Sequence, residues 1–477
     1  MGFVGSVKRA IASAGSGRRN ARRPVVLWQD EEMRLAAAGL ALGLLACSPA
    51  PRPNLLLVVI DTCRVDRMSL YGYERETTPQ LERLAAEGVV FDQAVTHVPQ
   101  TLPAVATLLT STLPAQHGVR VNGLFRLPDS ALTLAEWLRD SGWRSAAFVS
   151  GFPLDPRFRT DQGFDHYDAD FRDSILTRTR PQGSAFQGAR HRDFEQRADE
   201  TTAKAIAWLD AHERTDPERP FFLLVHYFDP HHPYQPPAEY RAGLDAYDGE
   251  IAFTDAEIGR VVERLRGAGV LDGTLVVVVG DHGEILDPAR PKARHAGHLE
   301  DAVLRVPLLV RAPGALPRGA RVAGQVALLD VAPTILDLLG VPVPAAFRGR
   351  SLVPVIRGGG AVASPTVPFE TLYWKLEVQR GLARTGVRSE AWKYVLNASE
   401  GSGGVARSEE LYDLARDPAE RTNLAAEVGR PGGPPLEVLE SLRNTLAEHA
   451  PPEGRAEPLA LTPEVEERLR SLGYLGS

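Results

Sequence analysis

Three short stretches bring together residue types that do chemistry. Val58-Val59-Ile60-Asp61-Thr62 sets a carboxylate where an apolar run ends. Val278-Val279-Gly280-Asp281-His282-Gly283-Glu284 sets another, with an imidazole beside it. Asp oxygens and His nitrogens together suit Zn²⁺ or Mn²⁺. The third stretch is Thr101 ahead of Leu102-Pro103-Ala104-Val105-Ala106-Thr107-Leu108-Leu109, which reads as a helix with Pro in its first turn. Thr at that place is a good helix cap. It is also a good place for a nucleophile, because the positive end of the helix dipole steadies an alkoxide and an anionic substrate. A lone strand-end Asp is most often a turn or cap residue. Two such ends plus a Thr before a helix point to a metal site.

The elements that must position these residues alternate. Leu55–Ile60 is continuous, apolar and β-rich, as expected for a strand buried on both faces. Similar runs recur at Ser145–Val149, Phe221–Val225, Val276–Val279 and Leu308–Val310. Helical spacing of apolar residues fills Pro79–Ala86, Thr133–Ser141, Thr201–Ala211 and Ile251–Leu265. Strands alternating with helices predict an α/β fold with a mostly parallel sheet flanked by helices. Ligands bind beyond the carboxyl ends of such strands. Asp61, Asp229 and Asp281 stand there. After about residue 350, glycine breaks and the strand-like Trp392–Leu396 and Glu410–Leu414 predict a smaller C-terminal α+β subdomain with a helix. The expected catalytic domain is 54–350, the subdomain 351–430 and a tail with a helix 431–477.

Composition is that of an ordinary globular protein, with 43% apolar and 24% charged residues in 477. The formal charge of −7 and the lack of a basic stripe exclude a nucleic-acid binder. Two cysteines, Cys47 and Cys63, exclude a disulfide scaffold. Residues 33–47 read as a lipoprotein-type signal: Met33-Arg34, a short Leu/Ala/Gly run, then Leu44-Leu45-Ala46-Cys47. Cys47 is the expected lipidation site, giving an exported, membrane-attached protein of the bacterial cell envelope. Residues 1–32, with Asp30-Glu31-Glu32 just before that segment, read as a mis-called upstream extension. Residues 48–53 form a Pro-rich tether.

A family resemblance becomes specific when the pieces are taken in order. They begin with Pro53-Asn54-Leu55 through Asp61-Thr62-Cys63-Arg64-Val65-Asp66, then Tyr71-Gly72-Tyr73, Thr78-Pro79 and Gly88-Val89-Val90-Phe91. His226-Tyr227-Phe228-Asp229-Pro230-His231, Asp281-His282-Gly283-Glu284, Arg305-Val306-Pro307 and Leu411-Tyr412-Asp413-Leu414 follow. Over roughly 53–425 the chain resembles the sulfatases of the alkaline phosphatase superfamily. The resemblance implies an alkaline-phosphatase-like fold. It also implies a metal held by Asp61, Asp281 and His282, with Thr101 as both ligand and nucleophile. His231 and His295 would contact the transferred group or the leaving oxygen and serve in catalysis. His298 shares that substrate-binding expectation with a structural or solvent-facing alternative.

The chain departs from the family where the chemistry is decided. Pro99-Gln100-Thr101-Leu102-Pro103-Ala104-Val105 resembles the signature Cys/Ser-x-Pro-x-Arg, with Thr and Val at its ends. Thr cannot become formylglycine, so none is expected. Many sulfatases carry two adjacent acids after the first strand, and here the second is Thr62. The set Asp, Thr, Asp, His resembles that of Thr-nucleophile transferases and phosphodiesterases of the same superfamily. A His ligand favours Zn²⁺ or Mn²⁺ over Ca²⁺. The expected function is a metal-dependent hydrolase of a small-molecule, glycan or lipid anionic ester, cleaving or transferring a phosphoester through Thr101. One alternative is a sulfuric ester hydrolase working without formylglycine. Another is a non-catalytic, glycan-binding surface lipoprotein. The Arg-rich loop Phe152–Gly188 is the expected seat of specificity.

Overall fold

The computed structural model describes residues 52–171, 195–287, 295–358, 366–375, 380–401, 404–449, 457–458 and 462–463. Cys47, the signal-like segment, the tether up to Pro51 and Arg172, Arg178 and Arg180 lie outside the described residues. Within the expected specificity loop, Arg157 pairs with Asp155 and Arg159 with Asp129.

The first half runs β1 (Asn54–Ile60), α1 (Pro79–Ala85), β2 (Val89–Val95), α2 (Thr101–Thr110), α3 (Leu134–Asp140), β3 (Arg144–Val149) and β4 (His166–Asp168). It continues with α4 (Ala198–Thr215), β5 (Phe221–Tyr227), α5 (Ala246–Gly267), β6 (Thr274–Gly280), β7 (Leu308–Arg311), β8 (Ala320–Ala327) and α6 (Val331–Leu338). Local sequence explains several ends. Thr133 caps α3, accepting from Glu136 N at 3.1 Å while Glu136 Oε2 accepts from Thr133 N at 2.9 Å. Asp245 caps α5 by accepting from Asp248 N.

The strands join as one sheet in the order β8-β2-β7-β6-β1-β5-β3-β4. β1 pairs in parallel with β5 and β6 at its centre. β7 runs antiparallel to both of its neighbours, so the sheet is mixed but mostly parallel. Both faces are covered. Leu55, Leu57 and Val59 pack with Leu275, Val277, Val279 and the apolar side of α2, α3 and α6. Leu56, Val58 and Ile60 face the other way, onto α1, α4 and α5. This two-sided burial is why the strands read as unbroken apolar runs.

The chain then forms β9 (Thr366–Lys375), β10 (Arg380–Ser389), β11 (Trp392–Gly401) and β12 (Gly404–Asp413), an antiparallel four-stranded sheet in chain order. The helix α7 (Leu436–Glu448) packs on it through Leu439 and Leu442. This sheet is tied to the larger one by buried charge. Lys393, wholly buried on β11, lies 2.6 Å from Asp301 and 2.8 Å from Glu420. Arg388 on β10 reaches Asp301 at 2.8 Å. Asp301 is partly buried, and Lys393 and Arg388 outweigh that desolvation and hold its carboxyl well below the usual range. Removing one member strands the others in a poor solvent for charge. Lys393→Ala is therefore expected to lose about 3–5 kcal/mol in denaturant unfolding, with a smaller loss when Lys393→Met is combined with Glu420→Leu.

Candidate metal and nucleophile site

Asp61 and Asp281 come together because their strands are neighbours in register. Ile60 pairs with Gly280, so the next residue of each strand projects from the same edge. The ladder runs one step further: Asp61 N donates to Tyr227 O at 2.9 Å and Asp281 N to Ile60 O at 3.3 Å. Side chains alternate along a strand. Asp61 thus continues the face of Leu55, Leu57 and Val59, and Asp281 that of Leu275, Val277 and Val279, the face covered by α2.

Thr101 is the first residue of α2, and Gln100 occupies the cap position. Its hydroxyl does not cap the helix. It donates to Asp61 Oδ2 at 2.9 Å and lies 3.5 Å from His282 Nε2. Capping is taken over by Asn122, whose Oδ1 accepts from Leu102 N at 2.8 Å. His282 Nδ1 donates to Gly283 O at 2.9 Å, which turns Nε2 towards Thr101 and Asp281. Gly283 is needed there, since a Cβ would sit 2.0 Å from Ala302 O. Thr62 bends the chain away from β1 at φ 47°, a costly conformation for a β-branched residue. That turn aims Thr62 N at Asp281 Oδ1, 3.1 Å away, and lets Tyr247 donate to Thr62 O at 2.6 Å.

Donor atoms of Asp61, Asp281 and His282 all lie within 4.8 Å of one another, and all three residues are buried. Asp61 Oδ1, Asp281 Oδ2 and Thr62 Oγ1 are buried with no hydrogen-bond partner among the described residues. Burial pushes both carboxyls up to about 7, opposed at Asp61 by His282 and reinforced at Asp281 by Asp61. Burial alone would lower His282, but Asp281 and Asp61 raise it above its ordinary value. Two orphaned acid oxygens beside an oriented imidazole are the donor chemistry a divalent cation satisfies.

The other expected residues divide. His231 is buried after β5, its Nδ1 donating to His232 O at 2.7 Å and its ring stacked on Phe228. His295 is buried with its ring 4.7 Å from His282 and 5.4 Å from His231, and its Nδ1 lies 3.3 Å from Glu284. His298 turns to the partly exposed Glu300 at 3.2 Å. Asp229 accepts from Ala198 N at the start of α4 and is not in the cation set. Cys63 is buried against Met68, with its thiol pushed far up by burial. Three residues went unassigned in the sequence. Glu284 orients His295, Thr62 anchors Asp281, and His226 has its Nε2 3.5 Å from Asp61 Oδ2.

A family model described as Sulfatase matches residues 53–341, more than half of the chain. The protein belongs to the sulfatase family. The C-terminal model of N-sulphoglucosamine sulphohydrolase matches residues 297–448 of this sulfatase-family chain. It is 24% identical to the Delta 4,5-hexuronate-2-O-sulfatase of Bacteroides thetaiotaomicron over 455 residues, covering 82% of this chain and 88% of that one. It has the fold of the phosphonate monoester hydrolase of Agrobacterium radiobacter, with TM-score 0.67 and 23% identity over 86% of this chain and all of the other. A structure solved with D-glucosamine-2-N,6-O-disulfate superposes with TM-score 0.65 at 22% identity, covering 83% and 97%. Sulfatase-family members are metal-dependent.

The raised carboxyls contribute to the pH dependence of stability in the metal-free protein. Between pH about 4 and 7 the folded state holds protons on Asp61 and Asp281 that the unfolded chain releases. Stability from these groups is present at low pH and falls as pH rises through that window. A divalent cation replaces those protons, so it gains most where they would be lost. The expected result in thermal melts is a larger metal-induced rise in Tm at pH 8 than at pH 5, abolished in Asp281→Asn. Equal rises at both pH values would contradict this account.

Proposed function

We propose that this sulfatase-family hydrolase cleaves or transfers a phosphoester with Thr101 as nucleophile. The observation that carries the reading is the hydrogen bond from Thr101 to Asp61 Oδ2 at 2.9 Å, with His282 on its other side. Asp61, Asp281, His282 and Thr101 would hold the cation, with Zn²⁺ or Mn²⁺ favoured by the imidazole. When bound, such a cation supplies charge stabilisation for an oxyanion and its attacking group.

The chain's own groups account for the protons. The Thr101 proton already faces a carboxylate acceptor. The Thr101 oxygen forms a bond to phosphorus as the bond to the leaving oxygen breaks, giving a threonine phosphoester. Water or an acceptor alcohol then releases it. His231 or His295 protonates the leaving oxygen. Burial, with His295 adding to it, holds His231 well below its ordinary value. An anionic ester beside the ring favours the protonated form, so the acid charges as substrate arrives. The start of α2 adds partial positive charge where the ester would sit.

Phosphorus is favoured because Thr is an ordinary nucleophile and cannot supply formylglycine. The phosphonate monoester hydrolase likeness is compatible with this. A sulfuric ester is the second reading, favoured by the sulfated-sugar names among the relatives. The apolar run ending in Cys47 supports an exported, lipid-anchored enzyme of the cell envelope. Thr101→Ala is expected to remove turnover while leaving the fold intact, and Thr101→Ser to retain part of it. On a panel of aryl phosphate monoester, phosphodiester and aryl sulfate with added Zn²⁺ or Mn²⁺, the phosphoesters are expected to turn over faster. Sulfate release as the faster reaction would favour the second reading, and wild-type rates in Thr101→Ala would sink the assignment.

A further inference from the structure

His226 occupies a position the fold reserves for an apolar residue. On β5, Phe222 and Leu224 share one face and pack into the core beneath α2. His226 continues that alternation, two residues on, and is wholly buried. The register Val59↔His226 in the parallel ladder sets it two residues before Asp61 on the neighbouring strand. Both of its ring nitrogens lack a hydrogen-bond partner among the described residues. Leaving a buried polar ring unpartnered costs free energy that Leu or Phe at the same place would not. The nearest charged atom is Asp61 Oδ2, 3.5 Å from Nε2.

We infer that His226 is a positioning residue for Asp61, its Nε2–H holding Asp61 Oδ2 from beneath when that carboxylate ligates a divalent cation. This rests on the metal reading of Asp61, Asp281 and His282. The separation of 3.5 Å is long for a hydrogen bond, and a shift of about half an ångström brings it into the usual range. His226 is not one of the residues whose donor atoms cluster within 4.8 Å, so it stands behind the carboxylate rather than on the cation. Ligating groups are commonly fixed by such outer partners, and losing one costs about 10–100-fold in metal affinity. The backbone under the ring is rigid: Ser150 Oγ donates to His226 O at 2.6 Å and accepts from Phe228 N at 2.8 Å.

The test is Zn²⁺ titration of the full chain against a chromophoric chelator, for wild type, His226→Leu and His226→Gln. Gln carries an amide N–H close to where Nε2–H lies. His226→Leu is expected to weaken Zn²⁺ binding by about 10–100-fold, and His226→Gln to recover most of it. If His226→Leu does not fold in the metal-free melt, His226→Met carries the same comparison. Wild-type affinity in the Leu or Met variant would make His226 a core filler and overturn the inference. A Gln variant as weak as Leu would overturn it too, because the imidazole nitrogen would then act on the metal directly. Wild-type protein that takes up no Zn²⁺ would instead sink the metal reading itself.

Discussion

Two carboxylates buried side by side govern this structure. Parallel strands in register carry Asp61 and Asp281 off the same edge, one strand apart, onto a face otherwise lined by Leu and Val. Neither can ionise there without help, and both together still less. Thr101 Oγ1 donates to Asp61, and Thr62 N and His282 N donate to Asp281, yet one oxygen of each acid has no partner among the described residues. The remaining need is for positive charge, supplied by protons at low pH or by a cation. Thr62's left-handed turn, the close approach of Gly283 to Ala302 and the oriented ring of His282 all serve to hold that need in one place.

The C-terminal sheet is part of the same device. Glu370 N donates to His97 O at 2.8 Å, and Gln100 donates to Leu372 O at 3.2 Å. Both contacts brace the segment that leads into Thr101. On the far side, Gly297 N donates to Thr371 Oγ1 at 3.2 Å, tying the turn after His295 to β9. Lys393 and Arg388 fix Asp301 in the same stretch. Thr101 and His295 are therefore positioned in part from the smaller sheet, while the larger sheet positions Asp61, Asp281 and His282. Movement between the two sheets would change the distance from Thr101 to His295.

Strands buried on both faces were legible because each is a local run, and Leu55–Ile60 and Val276–Val279 lie inside β1 and β6. The strand-end acids were legible for the same reason. β8 was not, since Ala-Arg-Val-Ala-Gly-Gln-Val-Ala at an edge alternates half-buried and exposed residues over its first five positions and shows no apolar run. β9 and β10 were missed likewise, and Trp392–Leu396 and Glu410–Leu414 showed only parts of β11 and β12. The start of α2 came out one residue early because Asn122, from elsewhere in the chain, serves Leu102 N. His226 was quoted in a motif without a role. A core position becomes polar for a reason only when its partner, Asp61, is known to lie on the next strand.

Val105 shows why Thr101 cannot be judged alone. All ten residues of α2 are buried, and Val105 is part of the apolar core beneath the site. The family signature has Arg at this place. A guanidinium put there would be desolvated and would need a paired acid. Restoring Cys at position 101 would therefore supply a formylglycine precursor without its supporting cation. Thr101, Val105 and Thr62 form one consistent set: a plain hydroxyl at the helix start, an apolar helix behind it and one acid fewer in front. The imidazole of this cluster that its neighbours raise is His282, and His226, His231 and His295 are buried around the same hydroxyl and carboxylates.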